Sequence, residues 1–397
     1  MVLRKRLRWF LIIFVWLIVV LALLEIALRL FTAALPPRLQ EAAHIAMHGV
    51  PYPEPWDRAW TRNPDHYFVL KPGLVDALQF GSPSVRFHLS TIELWEGGGI
   101  GFRTRPVNYF VDAVIVGDSF AFCFTERADC WVTHLERETG LGIVNLGQPG
   151  TGSHSHLLIL QDFGSPLKPP LVIWQFFGND FNDDYGLFSA SGKLEPLDDD
   201  SNADGADIGE PNELRSWLRM RSALYAVLES ILPAWRRFRD PNAAEFDERY
   251  AVTLPTGEQL RFGQPYESEA LDMSRAVNQA GYEISRAAFD SAQELVSAWG
   301  GQLVVALVPT REEVYASVTA AALGSDLYAI GSARLAMLDL CAELELLCYD
   351  ALADMQERAT TSELLYYADD LHWNPLGNRV FAELLREWLN ENGLLDL

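Results

Sequence analysis

Positive charge is what this sequence most conspicuously lacks. Lysine and arginine number 31 against 54 aspartates and glutamates in 397 residues, a formal charge of −23. Phosphate binding needs a basic face, so this balance argues against nucleic acid as a partner. Four of the positive charges, Arg4, Lys5, Arg6 and Arg8, crowd the N-terminus and leave the remainder still more acidic. Cysteine is scarce as well. Cys123, Cys130, Cys341 and Cys348 have neither zinc-site spacing nor a neighbouring histidine, so no metal is expected there. They form two close pairs. Four cysteines allow three pairings; the local one, Cys123–Cys130 with Cys341–Cys348, is the expectation, and four buried free thiols are the alternative. A phosphate loop of either common type is missing, which removes nucleotide-binding α/β proteins from consideration. No internal repeat is apparent, and no cofactor is expected.

What the chain does have begins directly after the basic cluster. Trp9 to Leu24 carries no charge and runs into Glu25-Ile-Ala-Leu-Arg29-Leu-Phe31. Crossing a hydrocarbon core takes roughly 20 helical residues. Residues 9–31 suffice as a transmembrane anchor if Glu25 and Arg29, spaced i,i+4 with the acid first, sit near the far interface. A cleavable signal peptide is the competing reading, with Thr32-Ala33-Ala34 as its small-residue cleavage site. The apolar run is longer than a usual h-region, so an uncleaved anchor is expected. The basic residues within 1–8 place the N-terminus in the cytoplasm and the remainder in the periplasm or outside the cell. An oxidising compartment there permits the two disulfides.

With hydrophobic residues at 49%, the remainder can bury one large core and carry insertions. Residues 35–110 are rich in proline, glycine and aromatics, with alternating pieces such as Val85–Leu89, and read as an irregular, partly β pre-domain. From there to about 392, strand patterns at 113–117, 142–146, 171–177, 302–308 and 345–349 alternate with helical ones. The helical patterns lie near 126–139, 152–163, 275–299, 332–344 and 375–391. Such alternation predicts an α/β fold, three layers (α/β/α) around a mostly parallel sheet, over residues 111–392. An insertion at about 185–273 interrupts the rhythm with an acidic run, an amphipathic helix near 213–239 and a Pro/Gly-containing piece. Within it, Asp200-Ser-Asn202-Ala-Asp204-Gly205-Ala-Asp207 has the opening spacing of a calcium loop. Pro211 stands where the loop's bidentate glutamate belongs, so a solvated acidic loop is expected at 200–210.

Four separated pieces carry the chemistry. The first, Val111 to Phe120, is a β-branched apolar run that ends in Gly117-Asp118-Ser119. Gly117 allows a sharp turn that lifts the Ser119 hydroxyl to the carboxyl end of a parallel sheet, where α/β proteins place their chemistry. The same residues also suit an ordinary strand exit with Asp118 or Ser119 capping a helix. The second piece is Val144-Asn-Leu-Gly-Gln-Pro-Gly150-Thr-Gly152, and the third is Ile173 to Gly178-Asn179-Asp180. In the fourth, Asp369-Asp370-Leu371-His372-Trp373-Asn374-Pro375, Asn374 reads as an N-cap and Pro375 as the first helical residue. Each alone reads as a turn or a structural histidine. The first three each follow a predicted parallel strand, so they would meet along one sheet edge.

Together, Gly117-Asp118-Ser119-Phe120, Gly150, Gly178-Asn179-Asp180 and Asp369…His372 resemble the four blocks of the SGNH (GDSL-type) hydrolase superfamily, in order. The resemblance covers about residues 110–185 and 300–392. Asn145-Leu-Gly-Gln-Pro-Gly150, Val308-Pro-Thr-Arg-Glu312 and His372-Trp-Asn374 are similar to membrane-anchored members, some linked to O-acetylation of exopolysaccharides, as in alginate-type acetyltransferases. The resemblance implies Ser119 as nucleophile and His372 as base. It implies an oxyanion hole from the N–H groups of Ser119 and Gly150 and the side chain of Asn179. The family's Asp-x-x-His spacing selects Asp369 as the acid, whereas the Asp-x-His-Trp spacing of alginate-type members selects Asp370; Asp369 is preferred and both are kept. Asp118 is expected to support the turn, while Asp180, Asp183 and Asp184 hold loops or line the cleft. His154, His156 and Trp373 are candidates for substrate contact. At i,i+2 on a helix the two histidines point to different sides, which disfavours a two-histidine metal site.

The expected activity is therefore a serine esterase or O-acetyltransferase acting on acyl esters, foremost O-acetyl groups of carbohydrate. A transferase would need a multi-pass membrane partner to deliver acyl groups, because a cytosolic donor cannot reach an external site. The alternative is a catalytically silent protein of the same fold that binds or assembles envelope polysaccharide.

Overall fold

The computed structural model describes residues 2–31, 60–195, 197, 217–218, 221–228, 251–262 and 269–396, apart from 64, 81–83, 108–109, 255, 258 and 361–362. The calcium-like loop at 200–210, the Thr32–Ala34 junction and most of the helix expected near 213–239 lie outside the described residues. The chain divides into two compact units, Met1–Arg58 with Ala206–Glu245, and Ala59–Gly205 with Phe246–Leu397.

In the first unit a single helix runs over Val2–Leu30. Its apolar side chains from Ile12 to Leu24 are exposed on every face, and Ile12–Leu30 is long and apolar enough to cross a membrane. Glu25 accepts hydrogen bonds from the N–H groups of Ala223 (2.9 Å) and Leu224 (2.8 Å) and from the Ser222 hydroxyl (2.9 Å). Arg29 donates to Glu25 at 2.7 Å and to the carbonyl of Arg221 at 2.6 Å.

The second unit opens with two antiparallel hairpins, β1 (Trp60–Asn63) with β2 (Tyr67–Leu70) and β3 (Ala77–Phe80) with β4 (Arg86–Leu89). A parallel sheet follows, made of β5 (Ala113–Val116), β6 (Ile143–Asn145), β7 (Leu171–Phe176), β10 (Gln302–Leu307) and β11 (Leu347–Asp350). Between the last two groups lies a short hairpin, β8 (Ala251–Thr253) with β9 (Gln259–Arg261). The sheet order is β11-β10-β7-β5-β6 and every pairing in it is parallel. Helices cover both faces, so the strands read as continuous apolar runs; all of β5, β6 and β7 is buried. The chain leaves β5 toward one edge and returns on its other side as β7. That reversal is where open α/β sheets hold ligands, outside the strands' carboxyl ends.

Helix Ala276–Ala298 buries Val277, Gly281, Ser285, Ala288, Phe289, Ala292 and Val296, a stripe at helical spacing. Small residues in that stripe let it lie against helix Asp180–Ala190. A Cβ at Gly281 would stand 1.7 Å from the Phe181 carbonyl oxygen. The sequence reading takes 180–185 as a turn because Asn-Asp-Asp resembles one; burial of Phe181, Asp184, Tyr185 and Leu187 makes it helix. The last helix, Pro375–Glu391, starts as its residues dictate. Asn374 accepts from the Gly377 N–H at 3.0 Å and Pro375 occupies the first turn. Both local disulfides, Cys123–Cys130 and Cys341–Cys348, are formed, with Cα atoms 5.5 Å and 6.3 Å apart.

Candidate active site

The turn after β5 is held by one polar side chain in an otherwise apolar strand. Gln175 of β7 accepts from the N–H groups of Asp118 (3.1 Å) and Ala121 (3.0 Å) through Oε1. Gly117 is required beneath it: φ is +156°, and a Cβ would meet that oxygen at 2.5 Å. Asp118 then caps the short helix Ser119–Phe122 by accepting from the Phe120 N–H at 2.8 Å. Burial pushes the Asp118 carboxyl up to about 6, with the Phe120 bond and the nearby His372 pulling the other way. Ser119 thus begins a helix at the sheet's carboxyl edge, its N–H among those with no intrahelical acceptor.

His372 arrives from the far end of the chain. Its Nε2 lies 2.8 Å from Ser119 Oγ, and its Nδ1 lies 2.6 Å from Asp370 Oδ1. The same carboxylate oxygen accepts the backbone N–H of His372 at 3.0 Å. Burial alone would raise the Asp370 carboxyl; the His372 charge and hydrogen bonds, with Arg311 nearby, overcome this and lower it to about 2. Asp369, the residue the sequence spacing prefers, is turned away and accepts from the Ser84 hydroxyl instead. Adjacent side chains on extended backbone diverge, so only one of the two aspartates can face the imidazole.

Two buried arginines frame the histidine. On one side the imidazole stacks on Phe124, ring centroids 4.2 Å apart. The segment carrying Phe124 is held by Arg103, which donates to the carbonyls of Phe122 (3.1 Å), Cys123 and Thr125 (2.5 Å). Burial lowers the Arg103 guanidinium to about 9. On the other side Arg311, at the exit of β10, donates to the Asp370 carbonyl at 2.7 Å. The loop itself is closed by the Tyr367 N–H on the His372 carbonyl (3.1 Å) and by Asn374, which donates to the Leu364 carbonyl at 2.6 Å.

Gly150 and Asn179 follow β6 and β7 at the same edge. Gly150 sits at φ +67°, a left-handed conformation that suits glycine. Its loop is tied to the pre-domain by Gln148, which accepts from the Leu70 N–H and donates to the Gly101 carbonyl, both at 2.9 Å. Asn179 caps helix Asp180–Ala190, and its Nδ2 donates to Asp183 at 2.9 Å. Behind this edge Asp184, buried, accepts from the His154 N–H (2.9 Å) and the Ser285 hydroxyl (2.6 Å).

The three candidates for substrate contact fare differently. His156 is wholly buried, 3.0 Å from the Thr151 hydroxyl, and burial lowers its imidazole to about 3. Trp373 is buried between Phe120 and Phe381, with ring centroids 4.9 Å and 4.3 Å away. Both are core residues, because a helix or loop that docks on a sheet turns its largest rings inward. His154 lies partly exposed against Phe188 and lines a mostly apolar cavity of about 630 Å³ with Leu157, Leu194 and Ile284. Among the described residues no group of histidine, cysteine, aspartate or glutamate could hold a metal ion.

Sequence reasoning missed Gln175, Phe124, Arg103 and Arg311 as parts of the site. A lone glutamine inside Leu171–Phe176 was a visible signal. The arginines had none, since only the folded chain shows which basic residues are buried.

Residues 266–396 match the family model described as SGNH hydrolase-like domain, acetyltransferase AlgX. Among solved structures, a putative lipolytic protein of the G-D-S-L family from Desulfitobacterium hafniense is 12% identical, with a TM-score of 0.36 over 70% of this chain and 98% of its own. The acetyl xylan esterase AlAXEase is 10% identical, with a TM-score of 0.35 over 70% and 98%. A lipase/acylhydrolase from Enterococcus faecalis is 11% identical, with a TM-score of 0.36 over 71% and 97%. Superpositions this loose carry no argument about substrate. A search of curated proteins gives no match.

Proposed function

We propose that this chain, which carries an SGNH hydrolase-like domain of the esterase and acetyltransferase kind, is a membrane-anchored serine enzyme working outside the cytoplasm, transferring or hydrolysing O-acetyl groups of carbohydrate through an acyl-enzyme. The observation that carries the reading is the unbroken line Ser119 Oγ–His372 Nε2, His372 Nδ1–Asp370 Oδ1, at 2.8 Å and 2.6 Å.

In this mechanism Ser119 attacks the ester carbonyl carbon while His372 takes its proton, since a free serine is too weak a nucleophile at neutral pH. Asp370 fixes the tautomer and stabilises the imidazolium. The carbonyl oxygen, now an alkoxide, is received by the N–H groups of Ser119 and Gly150 and the NH₂ of Asn179. The intermediate collapses, the C–O bond to the alcohol breaks, and His372 returns the proton to the departing oxygen. Water or a sugar hydroxyl, deprotonated by the same His372, then resolves the acyl-enzyme. Transfer from a cytosolic donor would require a multi-pass membrane partner to hand acyl groups across.

The location outside the cytoplasm is supported by two formed disulfides, which persist in oxidising compartments. Retention of the anchor is supported by Glu25 and Arg29, whose partners at 221–224 would be lost if the chain were cut after Ala34. The test is labelling of the detergent-solubilised chain with a fluorophosphonate, alongside hydrolysis of acetyl esters. Wild type is expected to label, and Ser119→Ala to lose labelling and at least ~10³-fold of its turnover. A folded wild type that neither labels nor hydrolyses esters would sink the enzyme reading.

A further inference from the structure

We propose that Arg311 is a positioning residue for the His372–Asp370 pair: its buried guanidinium fixes the backbone of the loop that carries both and faces that loop with a permanent positive charge. This rests on the serine-enzyme reading above. Arg311 opens the short helix Arg311–Val314 at the exit of β10, on the far side of β7 from the strand that carries Ser119. Its side chain is wholly enclosed. Nη1 donates to the Asp370 carbonyl at 2.7 Å and reaches the Tyr367 carbonyl at 3.5 Å, while Nη2 lies 3.3 Å from Glu312.

The base of Arg311 is itself immobilised. Thr310 and Glu313 form a reciprocal cap around the helix start, each bonding the other's backbone N–H at 3.0–3.1 Å. Glu313 also accepts from Arg334 at 2.9 Å, and Arg334 pairs with Asp350 of β11 at 2.6 Å. The guanidinium is therefore a rigid bracket from the sheet's β10–β11 side to the loop that presents the imidazole. Asp370 is the leverage point, since its carbonyl meets Arg311 and its carboxylate meets His372. A loop shift of about 1 Å would part Nε2 from Ser119, an error that costs on the order of 10²-fold in rate.

Other charged and titratable groups face the pair as well. Asp118 approaches His372 from the β5 turn, and Tyr367 approaches Asp370 from its own loop. Asp369 is engaged with Ser84, and Glu312 lies beside Arg311. Arg311 is the cation that acts on the Asp370 carboxylate, alongside His372 itself.

The experiment is the rate of fluorophosphonate labelling of Ser119 against pH, in the full chain, for wild type, Arg311→Gln and Arg311→Lys. Arg311→Gln is expected to label roughly 10–100-fold more slowly. Its acid limb should move to higher pH, because removing a nearby positive charge favours the protonated imidazole. Arg311→Lys keeps the charge and loses the fork, so its acid limb should stay in place while its rate recovers only in part. A merely structural arginine would lower the melting temperature and leave the limb unmoved. Labelling of Arg311→Gln within a factor of about two of wild type, with an unmoved limb, overturns the proposal. Should Arg311→Gln fail to fold, a wild-type rate in Arg311→Lys overturns it equally. An unlabelled wild type brings down the serine-enzyme reading and this proposal with it, whereas a labelled wild type with an indifferent Arg311→Gln removes this proposal alone.

Discussion

Asp369 and Asp370 are neighbours of identical chemistry, yet one meets the imidazole and the other meets the Ser84 hydroxyl. Asp370→Asn keeps the shape but favours the wrong imidazole tautomer, so turnover on an acetyl ester should fall by ~10⁴. Asp369→Asn should stay within a factor of a few of wild type, about the scale of a lost surface contact. Steady-state hydrolysis of the two variants side by side decides between them; equal losses would remove Asp370 from the assigned role. Asn179→Ala should cost ~10²–10³ in turnover, with little change in KM, if its NH₂ meets the alkoxide only in the transition state. Spacing one residue apart cannot separate two aspartates in a sequence, because the choice lies in backbone direction. Gln175 shows the converse. A polar residue inside an apolar strand was visible, but its partners 54 and 57 positions earlier were not.

At the scale of elements, the final helix matters most to the site because it begins three residues after His372. Phe381 is fully buried on it, with centroids 5.2 Å from Trp131 and 4.3 Å from Trp373. Phe381→Ala should cost about 3–5 kcal/mol and should also slow labelling of Ser119, since Trp373 adjoins His372. Denaturant unfolding with a parallel labelling assay checks both; a stable variant with intact labelling would separate this helix from the site. The caps, Asn374 and Pro375, were legible because capping is local chemistry that four residues can express. Helix Asp180–Ala190 was not, since its residues favour turns and only contact with helix Ala276–Ala298 overrides them.

For the whole molecule, buried carboxylates set the pH dependence of stability. Burial pushes Asp184 up to about 7, against the bonds from Ser285 and His154. Burial, with Asp118 and Asp184 adding repulsion, pushes Asp183 up to about 8. A carboxyl raised in the folded state binds more protons there than when unfolded, so its contribution is present at low pH and is lost as pH rises through the folded value. The melting temperature should therefore fall between about pH 6.5 and about pH 8.5, and Asp184→Asn should flatten that slope. The buried, depressed His156 acts in the opposite sense only below about pH 6.5, where an unfolded histidine gains its proton. A melting temperature that rises over the upper window would contradict this account. Reduction of each disulfide should cost roughly 2–3 kcal/mol, the closure entropy of a short loop. The intact mass of membrane-extracted protein should include the Val2–Leu30 helix; a mature chain beginning near residue 35 would mean a cleaved leader instead.

Local chemistry made much of this protein readable in advance. The apolar strands, the glycine turn before Ser119, the capped last helix, the pairing of nearby cysteines and the apolar N-terminal segment all follow from neighbours in the chain. The order of the four motif blocks pointed to one sheet edge, because successive parallel strands end on the same side. Tertiary structure alone decided which aspartate faces His372, which histidine and tryptophan vanish into the core, and which arginines hold the two sides of the imidazole. Those outcomes depend on contacts between residues tens to hundreds of positions apart, and no periodicity or spacing in the sequence encodes the direction in which a buried side chain points.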